Sequence, residues 1–292
     1  MLTTTQIQDA YDFCLQKVRS HYENFPVASW FLPRRLRLPI AVIYAFARSA
    51  DDFADEGDLS EQQRLGLLNE YGNKLNNMTG QNDDPIFIAL RDVINKHDLP
   101  LQLLHDLLTA FRMDVTKKQF KDFSELQYYC QHSANPIGRL LMHLNNTVTD
   151  EIMAYSDQTC TALQLINFYQ DLAQDYAENN RIYIPQDEMQ QYGVTEAHFR
   201  LQNSDTAMQT LMEFQIQRAQ AMLLSGAELG RILSGRIGYE IRMVTEGGLY
   251  ICQKLMQHNN NLFARPRLNT ADWMRIALHA AFMPRRHMNK LS

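Results

Sequence analysis

Apolar residues recur at three- and four-residue spacing over almost the whole chain, and this periodicity constrains its fold more than any other feature. Alternating strand patterns are nearly absent. Twelve glycines and nine prolines in 292 residues are too few for an all-β protein with frequent turns. The spacing predicts helices over about 3–19, 40–56, 60–76, 85–97 and 100–113, with Ser60 and Gln63 placed as a capping box. More helices are expected over 122–144, broken near Ser133 to Pro136, then over 149–176, 206–233, 236–259 and 270–282. No linker rich in Gly, Ser or Pro divides the chain. The expectation is one all-α domain over 1–292, a helical bundle with a basic tail from about 283.

Composition excludes several classes of function. Asp and Glu number 33 against 28 Lys and Arg, a net charge of −5, so nucleic acid is not an expected partner. Cys14, Cys130, Cys160 and Cys252 are scattered with no CxxC pair. That argues against a zinc site or disulfide framework and fits a cytoplasmic protein with reduced thiols. The chain opens without an apolar leader and has no run of 18 apolar residues. A soluble protein is expected, at most lying on the inner face of a membrane.

Two helical stretches carry carboxylates where apolar residues should dominate. In YAFARSADDFADEGD (44–58), Asp51 and Asp55 are four apart and share a face, with Asp52 beside them. In ALQLINFYQDLAQDYAENNRIYIP (162–185), Asn167, Asp171 and Asp175 fall at i, i+4 and i+8. Like charges at this spacing repel, and partial burial makes them costly unless a cation compensates. Oxygen donors of this kind suit Mg²⁺ shared with phosphate oxygens and water. Two acidic stripes facing across a bundle would hold metal around a diphosphate and help it depart. Arg48 and Arg181 lie next to the two stripes. Fourteen Phe, 13 Tyr and 14 Met provide enough apolar lining for a central cavity that takes a long hydrocarbon, though most of them are ordinary core.

These motifs resemble those of the squalene/phytoene synthase family, which has the all-α isoprenoid synthase fold. The resemblance covers about residues 10–280. Tyr44, Arg48, Asp51, Asp52 and Asp55 match the first motif; Asn167, Asp171, Asp175, Arg181 and Tyr183 match the second. The resemblance implies Mg²⁺, two or three ions, on Asp51, Asp52, Asp55, Asn167, Asp171 and Asp175. It places Arg48 and Arg181 on diphosphate and Tyr44 and Tyr183 at the border of the site. His21 and Asn24 match the N-terminal substrate segment, and Tyr129 a central tyrosine. Arg265, in FARPRL, matches a basic residue that reaches the diphosphate.

HYENFPVASWFLPRRLR (21–37) and YCQHSANPIG (129–138) look like the hydroxysqualene synthase branch of the family, which belongs to hopanoid synthesis in bacteria. That branch implies ionisation of presqualene diphosphate, rearrangement and capture by water, between a partner enzyme that makes presqualene diphosphate and a separate reductase. No nicotinamide is expected: the chain has no strand–GxGxxG–helix unit. Pro136 breaks the backbone ladder, and Asn135 and Ser133 add polar groups there, so the break is expected to position the quenching water. Two other readings stay open: condensation of two farnesyl diphosphates by a presqualene diphosphate or squalene synthase, and a non-catalytic helical assembly factor. Arg34, Arg35 and Arg37 beside Trp30 and Phe31 are expected to form a solvated or membrane-facing surface.

Overall fold

A computed structural model describes residues 3–20, 33–78 and 83–282, and in that range all regular elements are helices. They are α1 (Thr4–Ser20), α2 (Arg34–Asp55), α3 (Glu61–Asn76), α4 (Pro85–His97), α5 (Leu101–Thr116), α6 (Phe123–Ser133), α7 (Asn135–Leu144) and α8 (Asp150–Gln170). There follow α9 (Leu172–Asn179), α10 (Gln186–Tyr192), α11 (Glu196–Arg200), α12 (Thr206–Gly226), α13 (Glu228–Ile232), α14 (Gly235–Gln257) and α15 (Thr270–Phe282). A single parallel bridge joins Gln119 to Ile182.

The chain divides into two compact units. The first comprises Met1–Thr116 and Pro136–Thr149, the second Lys117–Asn135 and Asp150–Ser292. In the first, α2 packs against α1, α3, α4 and α5. Phe46 of α2 stacks on Tyr71 at 5.0 Å and meets Phe87 edge-on at 6.1 Å, so one aromatic cluster ties α2, α3 and α4 together. The Ser60–Gln63 capping box forms as expected and satisfies the first amides of α3.

In the second unit α8, α12 and α14 pack together, with α6 on α8 and α15 on α14. Helices α8 and α12 approach so closely at Gly226 that a Cβ there would lie 2.3 Å from Thr159 Oγ1. Only glycine fits that contact.

Three expectations need correction. Helix α2 begins at Arg34 and runs through Pro39, six residues before the expected start. Proline cannot donate to the Arg35 carbonyl, but Leu36, Pro39 and Ile40 all bury on the core face, which outweighs one lost bond. The expected helix 149–176 is two helices bent at Asp171, whose φ of −103° and ψ of 16° leave the helical region. The expected helix 206–233 is likewise interrupted at Ala227. The break predicted near Ser133 to Pro136 is present: α6 ends at Ser133 and α7 starts at Asn135.

Candidate active site

The first acidic set is built on the last turns of α2. Arg48 is its hub: Nη1 donates to Asp51 Oδ2 at 3.0 Å, Nε meets Asp52 Oδ1 at 2.6 Å, and Nη2 donates to Glu56 Oε1 at 2.5 Å. These partners lie three, four and eight residues on, the spacing that stacks side chains along one helix face. Burial pulls the guanidinium pKa down, but the three carboxylates hold it above its ordinary value. Lys17 of α1 adds a second cation, 2.8 Å from Asp52 Oδ2. Tyr44, one turn before Arg48, has its phenol pushed up by partial burial, against the pull of Arg48. Asp55 is exposed at the end of the helix.

The second set surrounds the bend between α8 and α9. Asp171 is buried, and Arg265 grips its carboxylate with both arms, Nε on Oδ1 at 2.5 Å and Nη2 on Oδ2 at 3.1 Å. The same guanidinium donates to Gln174 Oε1 at 3.2 Å. Asp171 holds the N-cap position of α9 without bonding its amides, because its carboxylate is turned to Arg265. The helical register survives the bend. The Asp171 amide donates to the Asn167 carbonyl at 3.0 Å and the Asp175 amide to the Asp171 carbonyl at 2.8 Å.

Asp175 is pushed up to about 7, first by burial and then by its neighbour Asp171, with Arg181 and Arg265 opposing. Burial also raises Asp171, against Arg265 and Arg267. Asn167 is exposed at the head of this row.

Asn180 ends α9 in the left-handed region, at φ 52°, and the turn returns the Arg181 amide to the Asp175 carbonyl at 3.1 Å. That is the part Asn180 plays: it buries Arg181 next to the acidic row and sends Ile182 to its bridge with Gln119. Tyr183 then stacks flat on Phe168, centroids 3.7 Å apart and planes 2° off parallel. Tyr129 lies 5.9 Å from Tyr183 and 6.1 Å from Phe168, and Phe120 closes the cluster 5.4 Å from Tyr129. Phe168 and Tyr183 therefore rise from the same stretch as the acidic row, and Tyr129 of α6 and Phe120 pack onto them. Asn135, at the start of α7, is buried and accepts a 2.9 Å hydrogen bond from Thr161 Oγ1. The Ser133 hydroxyl, two residues away, is buried and has no hydrogen-bond partner among the described residues.

The sequence pattern pointed to neither Lys17, Glu56, Phe120 nor Phe168. Phe168 sits in the helical stripe as ordinary core would, and the others join the site only through tertiary contact or the last turn of α2. His21 and Asn24, expected to bind substrate, lie outside the described residues, as do Trp30 and Phe31.

Among the described residues no three His, Cys, Asp or Glu side chains converge to hold a metal alone. The donor set nonetheless fits Mg²⁺, which takes one or two carboxylates and completes its shell with phosphate oxygens and water. Asp175 beside Asp171 is a pair that a cation would relieve. Asn167, Asp171 and Asp175 could hold one ion or more, and Asp51, Asp52 and Asp55 are oxygen donors of the same kind.

Comparisons with known proteins agree with this architecture. The squalene/phytoene synthase family profile matches residues 18–274. A hydroxysqualene synthase of Zymomonas mobilis is 32% identical over 263 residues, 89% of this chain and 87% of that one. A hydroxysqualene synthase of Rhodopseudomonas palustris is 36% identical over 224 residues, 76% of this chain and 75% of that one. The crystal structure of the squalene synthase HpnC from Alicyclobacillus acidocaldarius superposes with a TM-score of 0.82 at 32% identity, covering 89% of this chain and 97% of that one. The chain belongs to the squalene/phytoene synthase family of all-α isoprenoid synthases.

Proposed function

We propose that the protein is a hydroxysqualene synthase, a lyase that converts presqualene diphosphate and water to hydroxysqualene and diphosphate. The observation that carries this is the row Asp171, Asp175 and Arg181, with Arg265 on Asp171, set on the segments that also carry Phe168 and Tyr183, against which Tyr129 of α6 packs. It puts leaving-group chemistry next to an aromatic surface, in a chain similar to two hydroxysqualene synthases.

Arg181 and Arg265 bind diphosphate oxygens; Arg265 leaves its grip on Asp171 as the anion arrives. Asn167, Asp171 and Asp175 would hold Mg²⁺, the α2 carboxylates are donors of the same kind, and the bound ion would supply charge neutralisation for the leaving group. Arg48 orients Asp51 and Asp52 for that task, and Tyr44 borders them. The carbon–oxygen bond breaks with its electron pair leaving on diphosphate. The faces of Tyr129, Phe168 and Tyr183 stabilise the resulting cation and keep stray water out.

The cyclopropylcarbinyl cation rearranges and opens, and one water oxygen bonds to the allylic cation and gives up a proton. Asn135 and Ser133, at the break between α6 and α7, would orient that water; the Ser133 hydroxyl, buried without a partner among the described residues, supports this role. An Asn135→Gly variant that still makes only hydroxysqualene would sink this assignment of the water site. No nicotinamide takes part. The substrate comes from a synthase that condenses two farnesyl diphosphates. The allylic alcohol goes on to a reductase, in the service of hopanoid synthesis.

A second reading, condensation of farnesyl diphosphate itself, draws on the likeness to a squalene synthase at 32% identity. Incubating the protein with Mg²⁺ and each diphosphate, without NADPH, separates the two. Turnover of presqualene diphosphate alone supports the proposal; efficient condensation of farnesyl diphosphate defeats it.

A further inference from the structure

Helix α15 is apolar almost all the way round, yet only one stripe of it is covered. Asp272, Ile276 and Ala280 recur every fourth residue and are buried, with Ile276 and Ala280 in one core cluster with Met243, Tyr239 and Leu268. Polar bonds fix the docking at both ends. Lys254 meets Asp272 at 2.7 Å, Tyr239 donates to the Ala277 carbonyl at 3.0 Å, and Arg242 donates to the Ala280 carbonyl at 2.7 Å. On the far side Met274, Leu278 and Phe282 are 59, 62 and 82% exposed, and Trp273, on the flank of the buried stripe, is 47% exposed. Met274, Leu278 and Phe282 fall at i, i+4 and i+8 and align along the axis, with exposed Arg275 at the border. Arg275 and His279 give α15 only a narrow polar edge, and a helix so largely apolar is ordinarily covered more fully.

We propose that this face docks on an anionic lipid bilayer, with α15 lying in the plane of the headgroups. Thirteen residues make a helix about 20 Å long, against a hydrocarbon core of about 30 Å, so it lies on a bilayer and does not cross it. Among the described residues no helix is long and apolar enough to span one. Charge selects the lipid. Arg275 borders the stripe, and the sequence that follows α15 carries Arg285, Arg286, His287 and Lys290 with no acidic residue, in a chain of net charge −5. Basic residues beside exposed Trp and Phe are the composition of interfacial helices.

A second copy of the chain fits less well. Four part-exposed large side chains offer roughly 400–500 Å², short of the ~800 Å² per partner of a standard interface. The docking stands apart from the proposed reaction, although a hydrocarbon substrate would give it a use. Arg34, Arg35 and Arg37, expected to form a solvated or membrane-facing surface, lie on α2 and are no part of this face. Arg35 is tied down, donating to the Leu144 carbonyl at 3.0 Å and to Asn145 Oδ1 at 2.7 Å.

Flotation of the full chain with phosphatidylcholine vesicles, with and without phosphatidylglycerol, tests this. The chain should float with the anionic vesicles and several-fold less with the neutral ones. Leu278→Asp combined with Phe282→Asp should cut the floated fraction at least about tenfold, with circular dichroism, melting temperature and turnover in detergent unchanged. Arg285→Gln with Arg286→Gln should lower flotation several-fold. Trp273 emission should shift to the blue on anionic vesicles, and Trp273→Phe should abolish the shift. No flotation on anionic vesicles, or full flotation of the Leu278/Phe282 double variant, overturns the proposal. So does a dimer in light scattering that this double variant dissolves without any vesicle binding.

Discussion

Asp175 is the residue where stability and function pull hardest against each other. In the folded, metal-free chain its carboxyl stays protonated up to about pH 7, against an ordinary 3.8. Between those values the folded state binds more protons than the unfolded one, so the penalty of burying this carboxyl grows as pH rises from about 4 to 7 and stands at its full size above that. Asp175→Asn removes the penalty. In EDTA at pH 8 it should raise stability by at least about 1 kcal/mol and leave it unchanged at pH 4, while abolishing turnover. Denaturant titration at the two pH values checks this; equal stability of the two proteins at pH 8 would contradict it.

Arg265 makes a complementary prediction. On releasing Asp171 it takes diphosphate oxygens with the same planar fork, which an ammonium cannot reproduce, so Arg265→Lys should lower kcat/KM about 10- to 100-fold. Steady-state kinetics with presqualene diphosphate measures that. Asp171 and Asp175 were legible in the sequence because their four-residue spacing inside an apolar helix is costly without a cation. The Arg265–Asp171 pair was not, because its partners are 94 residues apart and meet only through tertiary packing.

Among elements, the helices that follow an amphipathic pattern lie where the sequence puts them, and the departures occur where one buried residue overrides a local rule. Pro39 reads as a helix boundary, but the core face around Leu36 and Ile40 carries α2 through it. Asp171 reads as mid-helix, but its grip by Arg265 coincides with a bend that no propensity signals. Gly238, within α14, reads as a weak helical position. A Cβ there would sit 1.9 Å from the Leu233 carbonyl oxygen, a contact that only backbone movement could relieve. Gly238→Ala should therefore destabilise the protein by about 2 kcal/mol or more, whereas alanine at Gly66, with open space around it, should be neutral or slightly stabilising. Thermal melts of the pair decide whether close backbone approach or helix propensity governs α14.

For the whole molecule, net charge conceals more than it reveals. A balance of −5 gives no partner, yet the chain gathers carboxylates on α2 and on the α8–α9 bend and places bare apolar surface with basic flanks on α15. Both acidic sets should be needed for turnover. Asp51→Ala and Asp171→Ala should each lower kcat at least about a hundredfold without loss of fold, and chelation of Mg²⁺ should do the same to the parent chain. Undiminished turnover in either variant would remove that set from the reaction.

In the proposed reaction water, and not hydride or a second farnesyl chain, quenches the final cation. Turnover of presqualene diphosphate in H₂¹⁸O, with Mg²⁺ and without NADPH, tests it most directly by mass spectrometry of the product. The expected product is hydroxysqualene carrying one ¹⁸O per molecule. Squalene, dehydrosqualene or an alcohol without the label would contradict it.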